Sequence, residues 1–573
     1  MRFALLAFLL ILGSCSPSVE QVASPDSRFI DFVDEFFKAT FEHSPTTATA
    51  AGFRAFDTRL DDLSAESMGK RIVKLKEFQK QMASFANLSE ENTIDAEFLA
   101  SQISAELYEL ETLQTWKKNP MGYVSLAGSA VDGLMKRNFA PAKDRLNSVT
   151  ARLLLVPAAL SAMRENVNNP PKEFTDLAIR MAQGSAGFFE KDVATWATAA
   201  SEGDQAALAK FTAANSKVIA DIKSAAEWLK EDLKPRSNGA YAIGAESFSK
   251  KLAYEEMVDL PLEKLLEIGE ANLEKDYRDF VETAGTLKSS KSPAAVMASL
   301  SEEHPSADRL IPATRQTLAG IRKFLVDRRI ITLPNDNLPQ VQETPPYARN
   351  GSFASMDSPG AYETKANEAF YYVTPPEKEW DNKHVEEHLR LYNRPVMDII
   401  TIHEAFPGHF TQFLYSRQYP TKIRKLLYAS SNAEGWAHYS EQMMVEEGFG
   451  NQDPKLKLAQ LSEALLRDCR YVAGIKMHTQ GMTVEQATKL FMDKGFQERA
   501  NAFEEARRGS YNPTYLYYTL GKLQIYKLRQ DYKIAKGPEY SLQNFHDAFI
   551  KVGPLPIKLV RKVLLPTDKG STL

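Results

Sequence analysis

Cysteine is nearly missing from this sequence: 573 residues contain only Cys15 and Cys469. A disulfide-stapled fold is therefore excluded, and the core has to hold itself together by burial. An excess of one charge is missing as well. The chain carries 70 basic and 74 acidic side chains, a net charge of -4, which leaves no electrostatic footprint for nucleic acid. Glycine (28) and proline (29) are too sparse for a low-complexity or collagen-like chain. With 43% hydrophobic and 25% charged residues the composition is that of a globular protein, which excludes disorder and a polytopic membrane protein. No internal repeat and no alternation of strands with helices is found. At roughly 100–200 residues per domain, the length admits three or four domains or one large enzyme.

Long apolar runs are absent too, apart from Phe3 to Leu12, which follows Met1-Arg2 and precedes Leu12-Gly13-Ser14-Cys15. The run is too short for a permanent transmembrane helix but has the form of a secretory signal. The Leu-Gly-Ser-Cys ending resembles a bacterial lipoprotein box. We expect a signal peptide over residues 1–14, lipidation at Cys15, and a polar tether over residues 15–28. An ordinary cleaved signal with a stray cysteine is the competing reading. The expected location is that of an exported lipoprotein, periplasmic or on the outer face of a bacterial membrane. Its body would be soluble, held to the membrane only by the lipid.

What is present from Phe29 onward is helical periodicity. Ile72, Leu75, Met82 and Phe85 share one helical face, as do Leu99, Ile103, Leu107, Leu110 and Leu113. Similar runs continue to Arg329, with breaks at Asn169-Pro170-Pro171 and Lys234-Pro235. Prolines then crowd the segment from Ile330 to Pro376, where Gln340 to Glu343 and Phe370 to Thr374 read as strands. Pro375-Pro376 suits the end or edge of a strand. Helical periodicity returns afterwards, with a capping-box start at Thr483 and Gln486. The expected architecture is mainly α, a single domain over residues 29–573. It comprises a helical part (29–330), a β-containing segment (331–376), and metal-site and C-terminal helices (377–573). A linker between separate domains is the competing account of the proline-rich stretch.

Five of the nine histidines (His384, His388, His403, His409, His438) cluster, and the densest signal is His403-Glu404-Ala405-Phe406-Pro407-Gly408-His409. The zinc-peptidase helix motif spaces its histidines four apart, one turn on one face. Here the gap is six, which on an unbroken helix turns the second ring to another side. Pro407 has no N–H for the His403 carbonyl and Gly408 tolerates unusual backbone angles, so the helix should break where the two extra residues must be absorbed. A bulge there would return His409 to the face of His403. The preceding stretch from Pro395, with Val396, Ile399, Ile400 and Ile402, reads as a buried helix, where unpaired polar groups are costly and a metal would satisfy them. A catalytic zinc takes three protein ligands and leaves one position open. The third should come from Glu434-Gly435-Trp436-Ala437-His438-Tyr439-Ser440-Glu441, where Glu434, His438 and Glu441 share a helical face. Glu434 is the chosen ligand, and His438 stands as the alternative.

These two motifs resemble those of a large bacterial family filed as "domain of unknown function 885", placed among gluzincin-like metallopeptidases. The resemblance extends to Asn512-Pro513-Thr514-Tyr515-Leu516-Tyr517-Tyr518-Thr519-Leu520-Gly521-Lys522 and to Phe545-His546-Asp547 with Gly553 and Pro556. It implies a mainly helical zinc-peptidase fold, similar to neurolysin-like and carboxypeptidase-like enzymes, holding one Zn2+ per chain on His403, His409 and Glu434. Many members carry a further histidine directly after the last one of the motif, where this chain has Phe410.

Glu404 follows the first ligand directly, the place of a general base that takes a proton from water and passes it to a leaving amine. An oxyanion needs a donor besides the metal, and the tyrosine-rich segment supplies candidates, Tyr518 before Tyr517. Glu441 could orient a ligand histidine through its second N–H, and His438 could do the same for another group. Arg508, with Arg507 beside it, could hold a substrate carboxylate or be a solvated surface residue. The run containing Tyr372 could be an edge strand that aligns an extended peptide, or part of the core. The expected activity is hydrolysis of small peptides. A non-catalytic peptide- or glycan-binding lipoprotein and a zinc amidohydrolase acting on non-peptide amides are the alternatives.

Overall fold

A computed structural model describes residues 24–288, 291–344, 353–377, 380–568 and 570–573. The first helix, Pro25–His43, begins where the Ser27 N–H donates to the Ser24 hydroxyl and Pro25 opens the helix. The stretch expected to be tether therefore turns helical at Pro25. The reason is a good cap followed by Phe29, Phe32, Val33, Phe36 and Phe37, which bury one face. Cys15 and the segment 1–14 lie outside the described residues.

The chain is mainly α, with 71% of residues in helices and 2% in strands. The periodic faces read from sequence point inward: Leu75, Leu99 and Ile103 are fully buried. Helices end at the expected proline breaks, where Pro171 precedes the helix Lys172–Phe188 and Pro235 sits in a single turn over Lys234–Arg236. Thr483 and Gln486 form the expected capping box. By length and composition the stretch Ala142–Asn166 could cross a membrane, but half of its apolar window is buried in the fold and the helix breaks after Leu153.

Among the described residues three apolar clusters make the interior. One is built from helices between Met121 and Leu233. A second joins the segment Phe248 to Leu300 to the helices between Leu458 and Leu520. The third runs from the first helix through the sheet to the C-terminal helices, and takes in Ile399, Ile402, Phe406 and Trp436.

Among the described residues the sheet has three strands, β1 (Gln340–Glu343), β2 (Ala354–Asp357) and β3 (Phe370–Val373), in the order β1-β3-β2. β3 runs parallel to β1 and antiparallel to β2, with Tyr371 opposite Val341 and Met356. The run from Phe370 is thus the central strand and not an edge. Its main-chain groups are spent on both neighbours and cannot align a peptide. Alternation along β3 sends its side chains to opposite faces. Tyr371 shares a hydrogen bond of 3.1 Å with Thr401 of the helix that carries His403. Tyr372 faces away and is stacked on Phe370 with ring centroids 5.6 Å apart. A substrate role for Tyr372 is therefore not supported by its position.

Candidate metal centre

Five helices meet at the site among the described residues: Arg394–Glu404, His409–Ser416, Ser430–Glu446, Pro454–Thr479 and Tyr517–Lys536. The first is capped by Asn393, whose side chain accepts the Val396 N–H, with Pro395 in its first turn. Met397, Ile399, Thr401 and Ile402 bury it, and His403 arrives one residue before its end.

The chain breaks after Glu404. Ala405 leaves the helical region at φ -109°, ψ -86°, and the next helix, His409–Ser416, starts only after Phe406-Pro407-Gly408. The Phe406–Pro407 peptide bond is cis. The Gly408 N–H reaches back to the Ile402 carbonyl at 3.1 Å, six residues away instead of four. Glycine is required there: a Cβ on residue 408 would lie 1.8 Å from the His403 carbonyl oxygen. This wide turn absorbs the two extra residues and brings the two rings together, with centroids 4.8 Å apart and planes at 87°.

Glu434 meets them from the helix Ser430–Glu446. Its Oε2 lies 3.5 Å from the Nε2 of His403 and 3.5 Å from the Nε2 of His409. The three donor atoms all fall within 4.8 Å of one another. A tetrahedral ion with bonds of about 2.1 Å needs donors about 3.4 Å apart, and two of the three spacings already match. Two imidazole nitrogens and a carboxylate oxygen are donors that zinc takes. The cluster opens to one side: the side chains of His409 and Glu434 are 24% and 27% exposed, that of His403 only 8%.

Behind His403 lies Glu441, wholly buried. His403 donates its Nδ1–H to Glu441 Oε1 at 2.6 Å, which turns Nε2 toward the cluster. Glu441 also receives Arg467 at 3.3 Å and the Nδ1–H of His438 at 3.2 Å. Burial opposes its charge, but Arg467, His438 and His403 hold its carboxyl well below the ordinary range. Burial also opposes a charge on His403, yet Glu434 and Glu441 outweigh it and lift that pKa to about 10, a measure of the negative charge around this spot. Burial pushes His438 down to about 3, so it is neutral. Its Nε2 is buried and finds no hydrogen bond among the described residues. His438 thus sits behind Glu441 and outside the donor cluster, which leaves Glu434 as the third donor.

Glu404 ends the helix beside His403 and is partly exposed. Tyr518 is the second residue of the helix Tyr517–Lys536, and its ring lies 6.4 Å from that of His403, nearly parallel at 26°. Two glycines allow this approach. Gly435 and Gly521 face each other where their helices cross, and a Cβ on Gly521 would lie 1.9 Å from the Ser431 carbonyl. Arg508 donates to the Tyr518 hydroxyl at 3.2 Å, so it is no free surface residue. Arg507 is turned elsewhere, paired with Glu504. Tyr517 accepts from Asn512 at 3.0 Å and packs on Tyr518 with centroids 5.0 Å apart.

Sequence reading missed Arg467 and Arg470. Their guanidinium carbons stand 5.9 Å and 5.1 Å from the Tyr518 ring. A signal existed: Arg467-Asp468-Cys469-Arg470 interrupts an apolar helix in which Leu461, Leu465, Val472 and Ile475 are buried. Charges embedded in such a helix must be paired inside.

Residues 45–564 match the family described as "Bacterial protein of unknown function (DUF885)". The chain belongs to that family. No curated protein matches it. Among solved structures it is similar to a candidate lipoprotein of unknown function from Shewanella oneidensis, at 29% identity and a TM-score of 0.78, over 95% of this chain and 100% of that one. It shares its fold with a candidate lipoprotein from Colwellia psychrerythraea, at 17% identity and a TM-score of 0.81, over 95% of this chain and 99% of that one.

Proposed function

We propose that the protein is a zinc-dependent peptidase acting on small peptides outside the cytoplasm. The observation that carries this reading is the convergence of His403, His409 and Glu434, from three helices of which the first two are joined by a broken turn, beside the partly exposed carboxylate of Glu404. A zinc ion held by these three residues would supply Lewis acidity, lowering the pKa of water and polarising a carbonyl. Glu404 takes the proton of the attacking water and returns it to the leaving nitrogen as the carbon–nitrogen bond breaks. The Tyr518 hydroxyl accepts from Arg508, which leaves its own proton free to donate to the developing oxyanion. Glu441 fixes the ring of His403 through Nδ1.

Anchoring through Cys15 is part of the same proposal. It rests on the Leu-Gly-Ser-Cys ending and on two structural relatives that are themselves described as candidate lipoproteins. The decisive experiment is metal analysis of the purified protein, together with cleavage of a mixed peptide library by the wild type and by Glu404→Gln. Stoichiometric zinc with cleavage that Glu404→Gln abolishes supports the reading. A zinc-loaded protein that cuts no peptide overturns it.

A further inference from the structure

Three arginines surround Tyr518, and they are not equivalent. Arg467 is paired with Glu463 and Glu441. Arg470 is held by both oxygens of Glu505 at 2.7 Å each. Arg508 has no carboxylate within ion-pair distance among the described residues, and its one side-chain hydrogen bond there goes to the Tyr518 hydroxyl. Glu505, the acid nearest in sequence, is already engaged by Arg470. None of the Arg508 nitrogens is among the buried atoms that lack a partner, so its remaining N–H groups open onto accessible space. The residue is itself only partly exposed.

A guanidinium left unneutralised in a half-buried position, with a planar fork of free donors, is built to receive a carboxylate. From these facts we infer that Arg508 holds the C-terminal carboxylate of the substrate, and that the protein cuts peptides near their free C-terminal end. This rests on the peptidase reading and specifies its substrate class. The geometry sets the distance of the cut. Tyr518 bridges Arg508 and the donor cluster, with its ring 6.4 Å from that of His403. An extended residue spans about 3.5 Å, so a carboxylate at Arg508 places one of the last few peptide bonds at the cluster. The two neutralised arginines stand over the Tyr518 ring and do not compete for the substrate's charge.

The test compares the tripeptide Ala-Ala-Phe with its C-terminal amide, first as ligands and then as substrates. Binding is measured by calorimetry on zinc-loaded Glu404→Gln protein, which should hold the peptide without turning it over. The free acid should bind about 10–100-fold more tightly than the amide. Adding Arg508→Gln should erase that preference, while Arg508→Lys should restore part of it. Equal affinity of the full-length protein for acid and amide overturns the inference without recourse to any variant. A preference that survives Arg508→Gln overturns it too. Cleavage of acid and amide at equal rates by the wild type would retain the peptidase reading and remove this one. Preferential binding of the acid with no cleavage would keep Arg508 as a carboxylate site and remove the peptidase reading, and with it the position of the cut.

Discussion

Trp436 donates its indole N–H to the carbonyl of Pro407 at 2.7 Å, tying the helix that carries Glu434 to the broken turn between His403 and His409. The helix of the third candidate donor and the bend that unites the other two are thereby joined directly. Gly408 is the point on which the bend turns. In Gly408→Val the new side chain meets the His403 carbonyl, and the turn must shift at a cost of about 1–3 kcal/mol. We expect zinc affinity to fall at least about tenfold, since ligand geometry sets affinity, while the far-ultraviolet circular dichroism stays helical. A variant that binds zinc as tightly as wild type would show that the bend does not set the ligands.

One zinc ion per chain is expected by elemental analysis, and it should raise the melting temperature in proportion to the logarithm of free zinc. Replacing His403, His409 or Glu434 singly by alanine should abolish stoichiometric binding. If any one of the three replacements leaves full occupancy, the donor set drawn from the geometry is wrong.

Glu404→Gln preserves shape and removes the proposed base. Zinc content should be unchanged and kcat should fall about 10²–10⁴-fold, the range general-base catalysis supplies. Turnover within a few-fold of wild type would assign the proton transfer to another group.

Glu441→Gln tests the buried carboxylate that faces His403, His438 and Arg467. Loss of its charge leaves Arg467 without half of its compensation, and we expect a destabilisation of about 3–5 kcal/mol in denaturant unfolding. Zinc affinity should drop about 10–100-fold in a chelator competition. Unchanged affinity would mean that His403 keeps its orientation without this partner.

Glu256 offers a pH test away from the donors. It accepts the N–H groups of Ser430 and Ser431 at 3.0 Å each, at the start of the Glu434 helix, and burial raises its pKa to about 7. The native state therefore holds this proton more tightly than the unfolded chain. The resulting stability is complete below about pH 4.5 and is lost as pH rises through about 7. At most about 3 kcal/mol is involved. Between pH 5 and pH 8 the wild type should lose stability relative to Glu256→Gln, and a difference that does not change with pH would refute the assignment.

The sequence by itself determined the mainly helical class, the faces that Leu75, Leu99 and Ile103 bury, the strands at Gln340 and Phe370, and the break at Pro407. All of these rest on local chemistry: a period of 3.6 or 2, a missing N–H, a residue without Cβ. It also brought His403, His409 and Glu434 forward as candidates, because metal-type side chains in apolar helices are conspicuous. Only the tertiary structure decided between Glu434 and His438, since both lie on one helical face and which of them reaches the histidines depends on how two helices cross. It also made β3 the central strand, because strand order depends on pairing across long connections, which Phe370-Tyr371-Tyr372-Val373 does not encode locally. Arg467, Arg470 and Arg508 gained their separate roles in the same way. Each is an arginine in a helix, and only the carboxylates brought to the first two by other parts of the chain set the third apart.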